Sequence, residues 1–265
     1  MSQSGVTEPE PLRLDRVQLR SIDPPGYPYR VHYADVIQGK IDTCAIAAIM
    51  VAIAHTRPRL IGERLPGEPR TGVVLSKRAA DEIYKYWSDV TYWVRFTTGL
   101  GVLVTPVLYY HGQYEVAYAS TLHGPGWPSL VEKAYAILKG NSYNNLDRER
   151  SLRPVPSALA ILTDLVGPSD TADLVSDSLI NRWKQSRALK DSDLIRIADQ
   201  ARHRPTVATS YDHGTQDGIT AGHTYAVIRW RRGRMILHNP TGSPDVPQLT
   251  LDQLRASFSA VHQAL

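Results

Sequence analysis

Eleven apolar residues run without a break from Cys44 to Ala54, CAIAAIMVAIA, directly after the polar-leaning stretch Gln-Gly-Lys-Ile-Asp-Thr. A run of this length is too short to span a bilayer. It predicts a helix from Cys44 to about His55, capped by Thr43, apolar on nearly every face and therefore central to its lobe. Further along, Pro128–Lys139 reads as an amphipathic helix, with Leu130, Ala134, Ile137 and Leu138 on one stripe and Gly140 ending it. Other helices are predicted over 76–88, 157–166, 177–185 and 191–202. Strand patterns occupy 91–96, 102–110, 114–119 and 205–209, with His111-Gly112 as a turn. Residues 1–30, rich in Pro, Glu and Arg, resist helix and predict an extended arm. The charged, proline-containing stretch 147–156 marks a boundary between lobe 31–150 and lobe 151–265.

The pattern near the C-terminal end predicts a hairpin. Thr224–Trp230 alternates between two faces, Arg231-Arg232-Gly233 supplies the turn, and Met235–Asn239 returns. A turn centred on Arg231 sets His223 directly opposite Asn239, where side chains share a face with Cβ atoms about 5 Å apart. A slip of one residue would reverse that facing. Four arginines, Arg229, Arg231, Arg232 and Arg234, surround the tip. They invite comparison with a phosphate-binding patch, but without an accompanying aromatic stacking pattern they read as a solvated turn.

Composition adds bounds rather than chemistry. The chain has 265 residues, 42% of them hydrophobic and 21% charged, with a formal net charge of +4. These values are ordinary for a globular protein. Cys44 is the single cysteine, so no internal disulfide forms, and a chemically used thiol calls for a reducing compartment. The N-terminal residues lack the apolar core of a signal peptide. A cytoplasmic protein is expected, with no membrane or nucleic-acid partner.

A thiol in the first turn of a buried helix feels the positive end of the helix dipole, which favours thiolate. An imidazole held by a side-chain amide supplies the complementary base, because the amide oxygen fixes one ring nitrogen as donor and aims the other at sulfur. Cys44, His223 and Asn239 form such a set.

Three segments, in this order, resemble the core of the calpain-like cysteine peptidases, a branch of the papain-like fold. They are QGKIDTC ending at Cys44, WPSLVEKAYAILKGNSY from Trp127 to Tyr143, and AGHTYAVIRW followed by HNPTG around His223 and Asn239. Residues Leu249–Leu265 are similar to the last strand-helix piece of that core. The resemblance implies an α+β fold of two lobes, a mostly helical first lobe around the nucleophile helix and an antiparallel sheet in the second. It further implies Cys44 as nucleophile, His223 as base, Asn239 as its orienter, and Gln38 with the Cys44 N–H as oxyanion donors. The activity expected is hydrolysis of peptide bonds in protein substrates through a thioester. Transfer to an amine, glutamine deamidation, or a catalytically weakened interaction module are the alternatives. Ala45 and Thr241 stand where the family has tryptophans, and Trp230 is one aromatic that could replace them. Asp35 matches an acidic calcium ligand, yet Asn144 replaces another, so no cofactor and no calcium requirement are expected.

Overall fold

The computed structural model describes residues 17–21, 31–58, 61, 74–79, 90–96, 99, 101–105, 107–111, 115–122, 124–146, 156–173, 190–213, 215, 218–243 and 247–265. Among them the apolar run forms helix α1, Cys44–Thr56, with Cys44 and Ile46–Ala54 buried. No helix among the described residues is long and apolar enough to cross a membrane.

The chain divides into two compact units, Met1–Thr43 with Pro58–Pro156, and Cys44–Arg57 with Ser157–Leu265. The first unit holds strands β1 (Val17–Ser21), β2 (Val36–Ile37), β3 (Val74–Ala79), β4 (Val90–Arg95), β5 (Gly101–Val104), β6 (Val107–His111), β7 (Glu115–Val116) and β8 (Ser120–Thr121), and helix α2 (Trp127–Leu138). Its sheets are β1-β6-β7, β3-β4-β5 and the pair β2-β8, all antiparallel. Helix α2 packs on β4, β5 and β8. β1, inside the expected N-terminal arm, is hydrogen-bonded along β6 from Val17 opposite His111 to Ser21 opposite Val107.

The second unit continues with α3 (Ala158–Val166), β9 (Ser169–Asp173), α4 (Asp191–Gln200), β10 (Thr206–Ser210), β11 (Thr224–Arg231), β12 (Arg234–His238), β13 (Gln248–Leu249), α5 (Leu251–Ser257) and β14 (Phe258–Ala264). These strands form a six-stranded sheet in the order β13-β12-β11-β10-β14-β9, antiparallel throughout. Leu194 and Ala198 of α4 and Leu254 of α5 pack against Tyr225, Val227, Met235, Leu237 and Phe258 of the sheet. The architecture is α+β.

Several expectations change. The resemblance implies a first lobe built around the Cys44 helix, but α1 groups with the second unit, packing on β10, β11 and α3. A helix apolar on nearly all sides needs cover on nearly all sides, and a sheet plus a second helix supplies it. The first unit, expected to be mostly helical, is instead rich in short strands among its described residues. The segment predicted as a helix from 76 opens as strand β3, whose residues Val74–Ala79 pair with β4 from Arg95 to Val90. Non-local pairing overrides local propensity there. The single strand predicted over 102–110 is two strands, β5 and β6, because a proline at 106 has no N–H for a ladder. Among the described residues of the segment predicted over 114–119, Glu115–Val116 alone is strand. The helix predicted over 177–185, the charged boundary at 147–155 and Gly112 lie outside the described residues.

Candidate active site

The hairpin turns on two residues, not three. Arg231 pairs with Arg234, and Arg232 (φ 50°) and Gly233 (φ 75°) occupy the tip with the positive φ values that a type I′ turn requires. This register alone would put His223 and Asn239 on opposite faces. A bulge between Val227 and Arg229 adds one residue to β11, so that Val227 pairs with Leu237 and Ala226 with His238. Continued by one step, the register sets Tyr225 opposite Asn239, and His223 lies two residues along the same face. The predicted direct pairing is therefore replaced by a diagonal one, which a long side chain bridges.

That bridge is present. His223 Nε2 lies 2.9 Å from Asn239 Oδ1. The Thr241 N–H donates to the same oxygen at 3.2 Å, which fixes the orientation of the amide. An oxygen at that position accepts only, so His223 Nε2 carries the proton and Nδ1 is the nitrogen with a lone pair. The Asn-Pro-Thr-Gly turn, closed by Gly242 N–H to Asn239 O at 3.4 Å, is thus also the device that sets the imidazole tautomer.

His223 is buried, with 6% of its surface exposed, and its backbone is locked to Ser210. The Ser210 N–H donates to His223 O at 2.8 Å, and the His223 N–H donates to Ser210 Oγ at 2.8 Å. The ring meets Tyr225 edge-on, centroids 4.9 Å apart, and Tyr225 in turn meets Phe258 at 5.5 Å and accepts from the Thr220 N–H at 2.8 Å. Ser210 and Tyr225 were not singled out from sequence. The available signal for Tyr225 was its position two residues after His223 on a strand, which shares a face. Ser210 depends on the β10–β11 register, which local patterns do not reveal. Trp230, proposed as a replacement aromatic, packs against the core at the opposite end of β11 and is not beside His223. A cavity of about 780 Å³ adjoins Asn239 and Thr241, with Ile219, Thr220, Leu249 and Gln253 among its walls.

Cys44 begins α1 and is buried at 7% exposure. The other end of α1 is tied to the strand that follows His223, through His55 Nε2 at 3.0 Å from Ile228 O.

In the first unit, Gln38 Nε2 donates to Ile41 O at 3.2 Å, which uses one of its two amide hydrogens. The Gln-Gly step follows from close backbone packing, since a Cβ on Gly39 would overlap the carbonyl oxygens of Ala117 and Tyr118. The Ile41 N–H donates to Ala117 O at 3.2 Å. Thr43, expected to cap α1, directs its hydroxyl to the buried Glu132 carboxylate at 2.6 Å and toward Ile41 O at 3.3 Å. The other oxygen of Glu132 accepts the Ala119 N–H. The neighbouring Lys133, equally buried, places Nζ at 2.7 Å from Val107 O and 3.0 Å from Thr105 Oγ1. Both charges of the Glu-Lys-Ala-Tyr motif are therefore buried and hydrogen-bonded, and Glu132 anchors the residue that precedes Cys44.

Asp35 sits in a single 3-10 turn, Tyr33–Asp35, and Asn144 in another, Tyr143–Asn145. Among the described residues no group of three or more His, Cys, Asp or Glu side chains could hold a metal ion. A scan against protein-family models returns no match, and neither does a comparison with curated proteins.

Proposed function

We propose that this chain is a cysteine endopeptidase with a papain-like, two-lobed organisation, similar to the calpain-like enzymes, that hydrolyses peptide bonds in protein substrates. The observation that carries the reading is the His223 Nε2–Asn239 Oδ1 bond with the amide fixed by Thr241 N–H. It leaves Nδ1 as the base. His223 Nδ1 takes the Cys44 proton, the thiolate attacks the scissile carbonyl, and the Cys44 N–H with Gln38 Nε2 receives the oxyanion. The imidazolium then protonates the leaving amine, and water resolves the thioester.

Chain geometry supports the pairing of Cys44 with His223. From the His55–Ile228 contact, eleven residues back along α1 span about 16 Å. Five residues back along β11 to His223 also span about 16 Å. An α1 that runs in the direction of β11 brings these two equal paths to the same end of that strand. Asn144, in place of a carboxylate, weakens the calcium site that the resemblance would suggest, so the reaction proceeds without calcium.

A vinyl-sulfone or epoxide probe tests this. It is expected to modify the wild-type chain at Cys44, to leave Cys44→Ala unlabelled, and to react at the same rate with chelator or with added calcium. Labelling that persists in Cys44→Ala overturns the assignment. New peptide termini, found by mass spectrometry of a digested protein substrate, separate hydrolysis from transfer or deamidation.

A further inference from the structure

The bulge that aligns His223 with Asn239 has a second effect at the far end of β11. It turns Trp230 toward the core with Ile197 and leaves Arg229 and Arg231 both exposed on the opposite face. Arg231 faces Arg234 directly across the hairpin. The His55–Ile228 contact brings the end of α1, and with it Arg57, to the same end of the sheet. With Arg232 at the tip, five arginines are gathered on one part of the second unit.

These cations differ from the arginines on and around α4 and α5. Arg196 is paired with Asp193, Arg202 with Asp199 and Arg255 with Asp191. Among the described residues, Arg57, Arg229, Arg231 and Arg232 have no carboxylate partner, and Arg234 Nη1 donates only to the Gln248 carbonyl at 3.0 Å. Like charges directly opposite across strands are destabilising, so an incoming anion relieves repulsion as well as gaining contacts.

We propose that this face docks an acidic polypeptide segment. Guanidiniums on alternate residues of β11 repeat every ~6.7 Å, and neighbouring strands lie about 4.8 Å apart. An extended Asp/Glu-rich segment presents alternate carboxylates at the same ~6.7 Å repeat. Nucleic acid fits less well, because Trp230 packs against the core and, among the described residues, the hairpin face offers no other ring on which a base stacks. The surface lies about 20 Å along β11 from His223 and operates whether or not Cys44 is reactive.

The test is fluorescence anisotropy of a labelled dodecaglutamate peptide with the full-length Cys44→Ala chain. Binding is expected at about 50 mM salt and should weaken about tenfold by about 200 mM. Arg229→Gln/Arg231→Gln should lose about tenfold in affinity, whereas Arg196→Gln/Arg255→Gln, which removes the same charge, should change it less than about threefold. Equal losses in the two double variants, absence of binding at low salt, or tighter binding of a DNA strand of equal charge would each overturn the proposal. Circular dichroism verifies that both variants are folded.

Discussion

Asn239 serves two donors with one oxygen, and its replacement separates their effects. In Asn239→Ala the Thr241 N–H is near solvent and finds water, while the buried His223 ring loses the acceptor that selects its tautomer. A hydrogen bond that stabilises a charged imidazolium contributes about 1.5–3 kcal/mol, so the probe-labelling rate of Cys44 should fall about ten- to a hundredfold. The fold should survive, and the imidazole ¹⁵N shifts of His223 should show mixed tautomers. Ser210 acts differently. Ser210→Ala strips the buried His223 N–H of its acceptor, an unsatisfied donor that costs about 1–3 kcal/mol in urea unfolding. Asn239 was legible from sequence because Asn-Pro-Thr-Gly and His223 flank a recognisable hairpin. Ser210 was not, because its role arises from pairing between strands more than ten residues apart.

At the scale of elements, the hairpin shows how a correct pattern can lead to an incorrect register and still to the right contact. Alternation in Thr224–Trp230 identifies β11, and Arg231-Arg232-Gly233 marks the turn, one residue longer than the tip that forms. The extra residue at the bulge leaves no local mark, since Val227, Ile228 and Arg229 read as ordinary strand. Its consequence is nevertheless strict: parity decides which residues meet, and the bulge restores the parity that a two-residue turn would have reversed. The helices were easier. α1, α3, α4 and most of α2 follow apolar spacing and terminal signals that lie within each segment. The turn also holds a measurable strain. Arg232 adopts φ 50°, a conformation that asparagine tolerates better than arginine. Arg232→Asn should therefore stabilise the chain by about 0.5–1 kcal/mol and raise its thermal midpoint by about 1–3 °C, as read by calorimetry. An unchanged midpoint would mean that the tip does not limit stability.

For the whole molecule, the residues of the proposed site come from widely separated stretches: Gln38 belongs to the first unit, and Cys44, His223 and Asn239 to the second. The sequence order of the motifs was readable, but the membership of α1 was not, because an all-apolar helix does not announce which neighbours will cover it. The N-terminal arm raises the same issue. Its composition suggested an extended segment, and β1 within it is a strand with a partner. Deleting residues 1–25 removes the ladder from Val17–His111 to Ser21–Val107 and bares the edge of β6. Each lost backbone hydrogen bond costs about 0.5–1.5 kcal/mol, so several together should lower the thermal midpoint by several degrees, and an open edge promotes association between chains. Truncation at residue 15 keeps β1 and should preserve both the midpoint and a monodisperse light-scattering profile. If the longer deletion instead accelerates Cys44 labelling without loss of stability, the arm restrains access to the thiol rather than completing a sheet.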